Sequence, residues 1–96
     1  MFGLNIGMEV QSEKDFPELR KQFNVWRKRF PMFKHDVNRI EHICENHIQN
    51  YSIAGVHYRQ TKQRKYLERA QQELADINNL ILTVEKIELM ALLSQR

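Results

Sequence analysis

The strongest folding signal in this chain lies at residues 66–93, which read YLERAQQELADINNLILTVEKIELMALL. Apolar side chains recur there every three or four positions, at Leu67, Ala70, Leu74, Ile77, Ile81 and Val84, with Leu80 and Ile87 beside them. This spacing is typical of an α-helix with one buried face. Because no Gly or Pro interrupts the stretch, we predict one continuous helix.

A second apolar line follows another side of the same helix. Leu82, Leu89 and Leu93 are spaced by seven and four positions and lie about 120–160° around the helix axis from Ile77. A helix that is apolar on two sides needs two neighbours. We therefore expect the first stripe to pack into the domain and the three leucines to contact a partner, most simply a second copy of the chain.

Another helical stripe precedes this one in the chain. It begins near Phe33 and continues at helical spacing through Val37, Ile40, Cys44, Ile48 and Tyr51. Extended in steps of seven, it falls two positions short of the stripe that starts at Leu67, so the chain must turn between the two. We predict the turn at residues 50–55, where Gly55 can adopt the left-handed conformation that ends a helix. The alternative is the polar run at residues 59–65.

The first helix has local signals at both ends. Asp15 and Glu18 can cap free amides at a helix start, and Pro17 suits the first turn. Pro31 disfavours helical backbone at the residue before it, so the helix should end near Phe30. Between these ends runs a stripe of large side chains, Phe16, Leu19, Phe23, Trp26 and Phe30.

These signals predict an all-α fold with helices near residues 16–30, 33–53 and 57–94, in an up-down-up arrangement. With three glycines and two prolines in the chain, a multi-stranded fold lacks the turn residues that it needs. The third helix would be about 57 Å long and the second about 32 Å. About half of the third would then lack cover from within the chain, which favours a dimeric helical bundle with coiled-coil packing.

Residues 1–14 form a separate, extended segment in this interpretation. Alternate positions are apolar from Phe2 to Val10, which is the periodicity of a β-strand. A lone strand must pair with a partner edge to satisfy its backbone groups. A frayed tail is the alternative.

The composition fits one folded domain over residues 15–96. The 96 residues are 42% apolar and 28% charged, which is an ordinary globular mixture. The single cysteine, Cys44, cannot form an intrachain disulfide, and the sequence shows no secretory signal or membrane span, so we expect a cytoplasmic protein without membrane contact.

Neither metal binding nor catalysis is predicted. Cys44 and His47 could meet on one helix face, but a zinc site needs two more ligands, and no such spacing occurs. The chain has no glycine-rich phosphate loop and no nucleophile motif. We therefore expect no catalytic residue, cofactor or metal, with Cys44 as a buried apolar side chain and His47 at the core edge with its polar tip paired.

Positive charge is concentrated in two blocks of a chain whose net charge is +3. Residues 20–39 carry a net charge of +6 and residues 59–69 a net charge of +4. Such blocks can neutralise phosphates, or can simply form a solvated helix surface. The candidate phosphate contacts are Arg20, Arg27, Lys28, Arg29, Arg59, Lys62, Arg64 and Lys65.

Two functions follow from these features. The first is a non-enzymatic, homodimeric interaction module that acts as an adaptor, inhibitor or regulator of another protein through Leu82, Leu89 and Leu93. The alternative is a small nucleic-acid-binding accessory protein that contacts phosphates without reading bases.

Overall fold

The computed structural model describes residues 8–94, and this part of the chain is helical with no strand. Three helices pack together: α1 (Phe16–Arg29), α2 (Lys34–Thr61) and α3 (Arg64–Ser94). Short 3-10 turns at Glu13–Asp15 and Pro31–Phe33 precede α1 and α2. The all-α prediction is confirmed, whereas most of the predicted N-terminal strand, including Phe2, lies outside the described residues.

The first helix begins and ends near the predicted residues, but the Asp15 side chain accepts from the N–H of Gln11 and makes no capping bond to α1. Pro17 lies in the first turn of α1, and the helix stops before Phe30 and Pro31. The large residues of its stripe are buried, and the Phe23 and Trp26 rings meet edge to face with their centroids 5.3 Å apart. Aromatic pairs in this geometry add packing energy beyond the burial of their surface.

The predicted turn at residues 50–55 is wrong, and the chain turns within the alternative run at 59–65. Gly55 stays inside α2, which ends at Thr61 and is followed by Lys62 with a left-handed φ of 58°. The N–H of Lys62 donates to the carbonyl of Tyr58 at 2.7 Å, and the hydroxyl of Thr61 accepts from the N–H of Gln63 at 3.2 Å. A glycine inside a helix costs only about 1 kcal/mol relative to alanine, so continued packing of α2 on α3 outweighs it.

This turn changes the predicted helix lengths. The second and third helices contain 28 and 31 residues, which correspond to about 42 Å and 46 Å. The predicted third helix from residue 57, with half of its length uncovered, is therefore wrong. The two helices form a hairpin of nearly equal arms, whereas α1 has 14 residues and is about half as long as either arm.

Contacts along the hairpin fix how the helices lie together. Moving away from the turn, the rings of His57 and Tyr66 lie 5.0 Å apart, and His47 then meets Glu73. Tyr51, one turn further along α2 from His47, has its ring centroid 5.5 Å from that of Phe16 at the start of α1. The three helices share one elongated core, in which Ile77, Ile81 and Val84 of α3 are buried against the aromatic stripe of α1 and the apolar face of α2.

The chain that leads into α1 is also anchored to the hairpin. Val10 is buried, and its N–H and C=O both bond to the side-chain amide of Asn78 on α3. Met8 packs against the same core. Over the described part of the N-terminal segment, contact with α3 therefore takes the place of strand pairing.

Candidate functional site

The three leucines predicted to contact a partner form an exposed row on α3. Leu82, Leu89 and Leu93 are 54%, 48% and 52% exposed, and Met90 beside them is 55% exposed. The side chains that face the core from the same helix segment, such as Ile81 and Val84, are buried. The helix is continuous through this region. We call Leu82, Leu89 and Leu93 the leucine row.

The row is open because of its position around the helix axis. It does not overhang the rest of the molecule, because α2 accompanies α3 along most of its length. Instead, α1 and α2 pack against the opposite side of α3, where Glu88 is buried and bonded to Arg29 of α1. The row spans about 16 Å along the helix, which is long enough for a second helix to pack against it.

Four of the eight candidate phosphate contacts are engaged in ion pairs inside the chain. Their carboxylate partners lie on the neighbouring helix or one turn away, in the pairs Arg20–Glu45, Arg27–Glu41, Arg29–Glu88 and Arg64–Glu68. The aromatic residues interleaved with the first basic block are mostly buried, so they cannot stack on bases. Three arginines of the first block therefore link helices, and their guanidinium groups are not free to contact phosphates.

The other four cations have no ion pair with any described residue, and three of them lie at the hairpin end. Arg59 and Lys62 are at the end of α2, and Lys65 is at the start of α3. The ammonium of Lys62 lies 5.7 Å from the ring centroid of Tyr58. That of Lys65 lies 5.0 Å from the centroid of Tyr66. The hairpin end thus combines basic and aromatic side chains.

A polar cluster that the sequence reasoning missed joins α2 to α3. Nδ1 of His47 lies 2.6 Å from Oε1 of Glu73 and 3.8 Å from Oδ2 of Asp76. Nε of Arg69 lies 3.2 Å from the other Glu73 oxygen. Burial raises the pKa of Glu73, but hydrogen bonds from His47 and Arg69 lower it by more, so this pKa lies below its ordinary value of 4.5.

The same three donors, His47, Glu73 and Asp76, lie within 4.8 Å of one another and are of the types that hold divalent metals. Both oxygens of Glu73 already have partners, and the positive charge of Arg69 beside them opposes a second cation. The geometry fits an ion-pair network between helices better than a metal centre. His47 has its polar tip paired, as predicted.

Glu88 forms the second buried carboxylate site, at the other end of the hairpin. It is 1% exposed, and one of its oxygens, Oε2, lies 3.3 Å from Nη1 of Arg29. The other oxygen has no hydrogen-bond partner among residues 8–94. Burial raises the pKa of Glu88, and the nearby charge of Arg29 opposes that rise only in part.

Cys44 lies in the core, as predicted. It is 1% exposed, and burial raises the pKa of its thiol to about 12. A thiol acts as a nucleophile or metal ligand in its ionised form, so this cysteine contributes packing instead of reactivity.

Comparisons with family models, with curated proteins and with solved structures find no match to this chain. Among residues 8–94, no helix is both long and apolar enough to cross a membrane.

Proposed function

We propose that this chain is a non-enzymatic helical interaction module that self-associates through the leucine row and regulates, inhibits or connects another protein. The observation that supports this function is the exposure of Leu82, Leu89 and Leu93 on one side of a continuous helix. Soluble domains expose single apolar residues freely, whereas an aligned group of large ones marks a contact surface. The dimer would be a helical bundle built from two up-down-up units.

Simple energetics indicate a weak, concentration-dependent dimer. Burying one fully exposed leucine contributes roughly 1.5–3 kcal/mol, so six half-exposed leucines from two copies contribute roughly 4–9 kcal/mol. Association costs about 4–15 kcal/mol in lost motional freedom. The two terms are comparable, and contacts at the edge of the row, such as Met90, would decide the affinity.

The test is the solution mass over a wide concentration range, measured by light scattering and sedimentation. We expect the wild-type chain to dimerise reversibly and the double variant Leu82→Glu, Leu89→Glu to stay monomeric with unchanged helix content. Met32→Glu is the matched control, because Met32 is 63% exposed and lies outside α3. A wild-type chain that stays monomeric at every concentration would contradict the proposal.

Phosphate binding is the second candidate, and it is favoured by the three cations without ion pairs at the hairpin end, Arg59, Lys62 and Lys65. Binding of a mixed DNA or RNA pool through these residues should weaken steeply as salt rises. A pool that does not bind at low salt, or a binding constant that does not change with salt, rules out phosphate binding.

The cytoplasmic location that we propose rests on the single cysteine, since one cysteine allows no intrachain disulfide.

A further inference from the structure

A groove at the hairpin end continues the line of α1, and no helix of residues 8–94 fills it. The first helix starts at Phe16, which packs on Tyr51, whereas α2 runs on to Thr61. This leaves about ten residues of α2, or about 15 Å, beyond the reach of α1. The groove there has a volume of about 430 Å³, and its lining includes Glu13, Tyr51, Gly55, Val56, Arg59 and Leu67.

Gly55 leaves part of the α2 wall of this groove without a side chain. A Cβ added to Gly55 would meet only a guanidinium nitrogen of Arg59, at 3.9 Å, so the protein itself does not need a glycine there for packing. In the middle of a helix glycine is unfavourable relative to alanine. The absent side chain leaves room for another backbone to approach α2 closely, as happens where helices pack through small residues.

The charge at this end of the molecule selects the partner. Residues 59–69 contain five Lys or Arg and one Glu, and Arg59, Lys62 and Lys65 are without ion pairs among the described residues. A second copy docked end to end would bring the same cations together, because a two-fold interface places identical patches against each other. Within the groove Arg59 is basic and Glu13 acidic, and the excess positive charge comes from Lys62 and Lys65 beside it. An acidic partner that reaches these lysines would instead find complementary charge.

We propose that this groove binds an acidic amphipathic helix of another protein, about three turns long, which occupies the position that α1 leaves vacant. Its apolar side would rest on Val56, Leu67 and Tyr51, with its backbone over Gly55. Its carboxylates would face Arg59 and the hairpin end. This is the helix-in-groove mode of recognition, on a surface separate from the leucine row, so it does not depend on dimerisation.

The experiment selects helical peptides from a random displayed library on the full-length chain, with counter-selection on Gly55→Leu. Leucine at this position fills the groove and favours helix more than glycine does, so the melting temperature should stay the same or rise. We expect the enriched peptides to be net acidic, with apolar residues at helical spacing. A labelled enriched peptide should bind Gly55→Leu and Arg59→Glu at least about tenfold more weakly than the wild-type chain.

Two matched controls separate this surface from the others. Gln60→Leu adds the same side chain outside the groove, and Leu82→Glu alters the leucine row; both should bind the peptide as the wild-type chain does. The proposal is overturned if no peptide is enriched, if enriched peptides are not acidic, or if Gly55→Leu binds them unchanged. It is also overturned if Gly55→Leu converts an associated chain to monomers, since the groove would then hold a second copy.

Discussion

The side-chain amide of Asn78 bonds both backbone groups of Val10, which lies 68 positions earlier in the chain. The N–H of Val10 donates to Oδ1 of Asn78 at 2.7 Å, and Nδ2 of Asn78 donates to the carbonyl of Val10 at 2.9 Å. A neighbouring β-strand would satisfy the same two groups. The Asn78 side chain on α3 thus satisfies the backbone N–H and C=O of a buried residue, as a neighbouring strand would.

We expect Asn78→Ala to destabilise the fold by about 1–3 kcal/mol, because it leaves a buried N–H and C=O without partners. Urea unfolding measures the loss, and amide hydrogen exchange at Val10 should accelerate with it. Asn79→Ala is the matched control at an exposed neighbouring position and should change stability by less than about 0.5 kcal/mol. Equal effects of the two substitutions would show that the Val10 contact contributes little.

A substitution in the turn between α2 and α3 should raise the stability of the fold instead of lowering it. Lys62 has a φ of 58°, a conformation that is strained for residues with a Cβ and free of strain for glycine. Lys62→Gly should therefore stabilise the chain by about 0.5–1 kcal/mol after the entropy that glycine adds to the unfolded state. Lys62→Ala keeps the strain and serves as the control in thermal and urea unfolding. If glycine is no better than alanine there, backbone strain at this turn is negligible.

The same turn shows where reasoning from sequence stops. The start and end of α1 could be predicted because Pro17 and Pro31 restrict the backbone locally. The end of α2 could not be predicted, because a lysine such as Lys62 gives no local signal for a left-handed backbone. Gly55 does give that signal, but in the structure it lies inside the helix. Packing between α2 and α3 over some 28 residues decides this turn, and such packing cannot be read from either helix alone.

The buried carboxylates were missed for a related reason. Glu73 and Glu88 lie on the buried line of α3 at helical spacing from Ala70, Ile77 and Val84, so the periodicity contained the signal. The residue type argues against burial, because carboxylates are seldom buried without a partner. Arg69 lies one turn from Glu73 on α3, but the other partners, His47 and Arg29, come from other helices and are brought near only by the tertiary fold. The exposure of the leucine row, by contrast, depends on helix geometry alone and could be predicted from its angular position.

Glu73 should stabilise the chain at neutral pH and lose this effect in acid. Its folded pKa lies below the ordinary value of 4.5, so its contribution is present above pH 4.5 and is lost as the pH falls through the lowered folded pKa. We expect Glu73→Gln to cost about 1–3 kcal/mol at pH 7, because the bonds to His47 and Arg69 are weakened.

Urea unfolding at a series of pH values from neutral to acid tests this, and the variant should show a shallower loss of stability below pH 4.5. Glu68→Gln is the control, since the Glu68 side chain is 63% exposed and pairs only with Arg64 one turn away. Parallel acid profiles for wild type and Glu73→Gln would mean that the His47 cluster does not favour the ionised carboxylate.

Glu88 should show the opposite pH dependence, because burial holds its folded pKa above the ordinary value of 4.5. The folded state binds this proton more tightly than the unfolded state does, so the contribution is complete below pH 4.5 and is lost as the pH rises through the raised folded pKa. Glu88→Gln imitates the protonated form in shape and can still accept a hydrogen bond from Arg29.

As the pH rises from acid to neutral, Glu88→Gln should therefore gain stability relative to wild type. Glu73→Gln should instead lose stability relative to wild type as the pH rises through the acid range. Each glutamine serves as the control for the other in the same unfolding series. If the Glu88→Gln and wild-type profiles run parallel up to pH 7, the charge of Arg29 compensates the buried carboxylate in full, and burial does not control its ionisation.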